Sequence, residues 1–156
     1  MKAQQYKPLT AFSNKKKDIQ KQSNEEIFLL QKKCTNLNYL KQLTKNNPRM
    51  IAEMIEVYLE ETPQLVNTMK KAIDTSDWES LRNIAHSIRP SFLMMGVSKE
   101  FENTVKKVQE YATLLRDVQA NKGTVPALNE LFFKIETVSA KTYDELQKEL
   151  TALKVS

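Results

Sequence analysis

His86 is the only histidine in this 156-residue chain, and Cys34 is its only cysteine. At helical spacing, Arg82 and Asn83 lie one turn before the histidine and Arg89 and Pro90 one turn after it. A water-exposed imidazole presents a neutral ring nitrogen near pH 7, and that nitrogen can attack an activated phosphoryl group. The phosphohistidine formed would carry about two negative charges, to which Arg82 or Arg89 could donate charge-assisted hydrogen bonds. The same residues also fit an ordinary solvated helix surface on which the histidine has no role.

Other chemistries find little support. One histidine and one cysteine are too few for a zinc site, and the Glu-x-x-His pairs of di-iron bundles are absent. Phosphate-cradling loops need clustered glycines, whereas Gly96 and Gly123 stand far apart. No serine sits in a nucleophile elbow. The expectation is a protein with no metal, no cofactor and no catalytic machinery of its own. Cys34 cannot form an intramolecular disulfide and is assigned no role.

The longest charge-free run, Pro90 to Ser98, is about half of the roughly 20 residues a spanning helix needs. Residues 1–17 are polar and carry Pro8 and three consecutive lysines where a secretory signal needs an apolar run. No membrane span is therefore expected, and a cytoplasmic location is. Residues 1–33 hold eight lysines against Asp18, Glu25 and Glu26, which accounts for the whole net charge of +5. With no interleaved aromatic residues, this segment reads as a basic extension or linker rather than a nucleic-acid patch. Residues 34–156 read as one folded domain.

Apolar residues recur at three and four spacing, which predicts helices throughout. A short helix is expected over about Asn36 to Thr44, with Leu37, Leu40 and Leu43 on one side. Asn47 and Pro48 supply an N-cap and first helical residue. The stripe Met50, Ile51, Met54, Ile55, Tyr58, Leu59 then continues as Leu65, Val66, Met69, Ile73, with Pro63 expected to kink or restart the helix. Ser76 and Glu79 have capping-box spacing, so a helix should open near Asp77 and run to about Met95, where Gly96 offers a stop. Ser98 caps the next helix, which Asn121-Lys122-Gly123 should end, and Thr124 with Pro126 opens the last. The fold class expected is all-α: an antiparallel, up-down four-helix bundle with a short extra N-terminal helix.

At about 100° per residue, Leu81, Ile84, Ile88, Phe92 and Met95 fall on one side of the histidine helix, with Ala85 at their margin. His86 points the opposite way, to solvent. Leu93, with Met94 at the margin, is apolar on that outer side, as a docking surface would be, although scattered exposed apolar residues are also common.

Ala85-His86-Ser87-Ile88-Arg89-Pro90-Ser91, followed by Met95-Gly96, resembles the signature of histidine-containing phosphotransfer (HPt) domains: Ala-His-x-Leu-Lys-Gly-Ser, then an apolar residue and Gly. Tyr58-Leu59-Glu60-Glu61-Thr62-Pro63 is similar to a run in that family's second helix, and Asp77-Trp78-Glu79-Ser80-Leu81 to its lead-in to the histidine helix. The resemblance covers about Leu37 to Tyr111 and leaves residues 1–33 outside. It implies a monomeric carrier in a two-component phosphorelay. His86 would take a phosphoryl group from a receiver-domain aspartate and pass it to another receiver. Partners would be response-regulator receivers and a hybrid sensor histidine kinase, and the catalytic carboxylates and Mg²⁺ would belong to the receiver. Arg89 stands where the family has lysine, and with Arg82 it would stabilise the phosphoryl group. Asn83, Pro90, Leu93 and Met94 would form the receiver-docking face, and Gly96 the helix stop near the site.

Pro90 departs from the pattern, because the family usually has glycine there. Proline removes the N–H that would donate to the His86 carbonyl, costs about 3 kcal/mol within a helix, and predicts a local kink. Two other readings stay open. One is a receiver-binding adaptor that has lost transfer, and the other is a nucleic-acid or membrane tether in the basic leader.

Overall fold

The computed structural model describes residues 32–117 and 123–155, so the basic leader lies outside the described residues except for Lys32 and Lys33. Five helices are described: α1 (Asn38–Leu43), α2 (Pro48–Asp74), α3 (Trp78–Met94), α4 (Lys99–Asp117) and α5 (Thr124–Val155). Helix α3 packs between α2 and α4, and α5 closes the ring by packing on both α2 and α4. Connections of three or four residues join α2 to α3 and α3 to α4, which forces them antiparallel. On the far side Lys154 near the end of α5 pairs with Glu56 near the start of α2 at 2.8 Å. The fold is therefore the expected up-down bundle with a short extra helix ahead of it.

Local chemistry sets the helix starts. Asn47 accepts hydrogen bonds from the Arg49 and Met50 amides at 3.1 and 3.3 Å, and Pro48 fills the first helical position. Such a cap contributes about 1 kcal/mol. The capping-box expectation is corrected at α3. Ser76 adopts a left-handed φ of 55°, and Asp77 caps the helix by accepting from the Ser80 amide and hydroxyl at 3.2 and 2.7 Å. Those bonds hold the Asp77 carboxyl below its ordinary range. Ser98 caps α4 through the Phe101 amide as expected. The expected end of α4 at residues 121–123 falls largely outside the described residues.

Two prolines were expected to disturb their helices. Neither interrupts its helix, since α2 runs unbroken through Pro63 and α3 through Pro90. Each proline forfeits one backbone bond, and the buried residues on both sides outweigh that loss. In α2 these are Ile55, Tyr58 and Thr62 before Pro63, and Met69, Ala72 and Ile73 after it. The Gln64 side-chain amide also donates to the Glu60 carbonyl at 3.0 Å.

Phe92 is the hub of the core. Its ring meets Tyr58 of α2 edge-on at 6.2 Å and Phe101 of α4 at 4.7 Å. Full burial of each such side chain contributes about 1.5–3 kcal/mol. Ile84, expected in the core stripe, is half-buried, while Ala85 is fully buried. Met50 and Leu43, also expected on apolar stripes, are exposed, because each lies near the edge of its helix's buried face.

The C-terminal end of α3 is locked to the segment entering the bundle. Gly96 takes a φ of 68°, and the Val97 and Gly96 amides donate back to the Phe92 and Leu93 carbonyls at 3.0 Å. This is a Schellman closure. The Asn36 amide donates to the Met95 carbonyl at 3.0 Å, and a Cβ on Gly96 would stand 1.8 Å from the Asn36 oxygen. Glu145 of α5 holds the same entering segment by accepting from the Cys34 and Thr35 amides at 2.9 and 3.2 Å. No helix among the described residues is long and apolar enough to cross a membrane.

Candidate functional site

Helix α3 sorts its side chains by periodicity. Leu81, Ala85, Ile88 and Phe92 are buried, and Met95 continues their stripe at the cap. His86 lies on the opposite side and is exposed, as are Asn83, Pro90 and Leu93; Arg82 and Met94 are half-buried. Leu93 is 56% exposed, on a helix whose core stripe is already filled. The residues expected around His86 thus share its outer face, except that both arginines lean toward α4. Gly96 lies ten residues on, about 15 Å along the axis, and serves the fold rather than the histidine.

Arg89 donates to the Glu102 carboxylate of α4 at 3.2 Å, and Lys99 takes the other oxygen at 3.1 Å. The Arg89 and Glu102 side chains are only 28% and 18% exposed. Lys99 first, then Arg89, holds the Glu102 carboxyl below its ordinary range. The guanidinium expected to face a phosphoryl group on His86 is therefore engaged one turn away. Its Nε is buried without a hydrogen-bond partner. Arg82 donates to the Asn83 side chain at 3.3 Å. Hydrogen bonding from Arg116 holds the Asp117 carboxyl low, and the charge of Arg82 adds to that effect.

The ion pairs between α3 and α4 mark the register of the two helices. Arg116 reaches Glu79 at 3.9 Å, and Glu102 reaches Arg89 at 3.2 Å. His86, between Glu79 and Arg89, therefore stands level with residues 105–109 of α4. Val105 and Val108 in that stretch are buried in the core. Glu102, Lys106, Gln109, Thr113 and Arg116 recur at four and three spacing, so they share the side of α4 that turns to α3. By that spacing Lys106 and Gln109 lie on the side of α4 that faces the α3–α4 seam, at about the level of His86. Lys106 is exposed, whereas the Gln109 side-chain oxygen is buried without a partner. The sequence confines the candidate site to α3, because only the inter-helix register distinguishes these two from other polar residues of α4. Among the described residues no group of three or more His, Cys, Asp or Glu is placed to hold a metal ion.

The family model of the Hpt domain matches residues 53–155, from the second turn of α2 through α3 and α4 to the end of α5. The chain belongs to the Hpt domain family, whose members are helical bundles that carry phosphoryl groups and interact with receiver domains. No curated protein and no solved structure gives a match.

Proposed function

We propose that this protein accepts a phosphoryl group on His86 from the aspartyl phosphate of a receiver domain and passes it to a second receiver. The observation that carries this reading is the exposed imidazole on the outer side of α3, the helix that packs on α4, in a bundle of this family. The lone pair of a neutral ring nitrogen attacks phosphorus, the N–P bond forms, and the acyl phosphate P–O bond breaks. The electron pair leaves on the receiver's aspartate carboxylate, and the proton on the other ring nitrogen stays or passes to water. The reverse sequence loads the next receiver.

Exposed Asn83, Pro90 and Leu93, with half-buried Met94, provide the docking face around the ring. Arg82 and Arg89 supply positive potential from their fixed places, Arg89 while paired with Glu102. The decisive measurement incubates the protein with phosphorylated receiver domains. Acid-labile label should appear on the wild type and vanish in His86→Gln. Label persisting on the variant would refute His86 as the acceptor. The engaged Arg89 and the proline beside the ring favour a second reading, a receiver-binding adaptor. It predicts receiver binding with no label on the wild type.

A further inference from the structure

We infer that Lys106 of α4, rather than an arginine of α3, is the cation that contacts a phosphoryl group on His86. This rests on His86 being the acceptor and assigns the site a residue outside its signature helix. Three observations carry it. The two ion pairs joining α3 and α4, Glu79 with Arg116 and Arg89 with Glu102, put His86 level with residues 105–109. Of the two side chains whose spacing puts them on the α3-facing side of α4 there, Lys106 bears the charge. It is exposed, and among the described residues it makes no ion pair.

The competing cations each have a partner, and Arg82, which makes no ion pair among the described residues, also acts on Asp117 of α4 through its charge. Arg89 and Lys99 share the two oxygens of Glu102, Arg82 is hydrogen-bonded to Asn83, and Arg116 is bonded to Asp117. Moving Arg89 to the phosphoryl group would break a half-buried pair and leave Glu102 with one partner. Lys106 breaks nothing by turning toward the imidazole, and its flexible stem and three donors suit a tetrahedral phosphoryl group. Lys107, the next residue, lies on another side of α4 and carries the same charge, so it is a built-in control.

The test phosphorylates the full chain with phosphoramidate, a small P–N donor that removes receiver docking from the measurement. Phosphohistidine is followed by ³¹P NMR. His86 should be labelled in the wild type. Lys106→Gln should cut the rate of labelling about tenfold, the scale of one lost charge-assisted hydrogen bond. Lys106→Arg should restore most of it, and Lys107→Gln should match the wild type. Equal rates for Lys106→Gln and wild type would overturn the assignment, as would equal slowing in the Lys106→Gln and Lys107→Gln variants, which would signal net charge alone. A wild type left unlabelled by phosphoramidate and by phosphorylated receivers, or label surviving in His86→Gln, would overturn the acceptor reading itself.

Discussion

The bundle's two opposite seams are built differently. Between α3 and α4, charged side chains reach across at two heights, with Arg116 and Glu79 at one and Arg89, Lys99 and Glu102 at the other. Between α2 and α5 the helices part around a groove of about 530 Å³, whose lining includes Tyr58, Pro63, Val66, Ser139 and Ala140. There the Tyr58 and Ser139 hydroxyls are buried without partners. The histidine sits on the cross-linked seam. Charged side chains gathered on two facing helices give that seam an electrostatic field beside the histidine, which apolar contact does not supply. The groove seam is held by the core beneath it and by the Lys154–Glu56 pair near its end.

That contrast can be tested by substitutions outside the reactive residue. The largest effect is expected at Gly96, because the charged seam cannot hold α3 once its C-terminal anchor is lost. Gly96→Ala places a methyl group against the Asn36 carbonyl in a left-handed conformation. Urea unfolding should show a loss of about 3 kcal/mol or more. Gly123→Ala, which meets no atom within 4 Å, should change stability by under about 1 kcal/mol. Similar losses at both glycines would show that the anchor matters less than the seam.

A smaller effect of opposite sign belongs to the groove seam. Burial pushes the Tyr58 phenol far above its ordinary range, with the nearby Cys34 adding to the shift. Tyr58→Phe removes a buried hydroxyl that has no partner, so stability should rise by up to about 1 kcal/mol. A loss of stability would reveal that the hydroxyl is satisfied.

The smallest effect is expected from Glu102→Gln, and pH should control it. The Glu102 carboxyl is depressed by Lys99 and Arg89, so its pairing stabilises the fold fully above the ordinary glutamate pKa. That contribution is lost as pH falls through the lowered value. Thermal melts should put the wild type slightly above the variant at pH 6 and bring the two together in acid. A gap that persists at low pH would assign the difference to packing.

Much of this architecture was legible in the residues themselves. Helix phase placed His86 outward and Phe92 inward, because both follow from 3.6 residues per turn within one helix. Asn47-Pro48, Ser98 and Gly96 marked helix ends, because caps and left-handed turns are local chemistry. Ser76 was misread beside Asp77, since either residue can cap and the left-handed turn at Ser76 settles the choice. The restart expected at Pro63 does not occur, since the burial that holds its helix together comes from other helices.

What the sequence alone determined is therefore whatever a single helix can decide: its phase, its ends, and the residue it turns to water. Tertiary structure decided the pairing of Arg89 with Glu102, the seat of Gly96 against Asn36, and the level at which α4 passes His86. Each depends on how far one helix slides along another, and that register is set by the fit of buried side chains, which local periodicity does not encode.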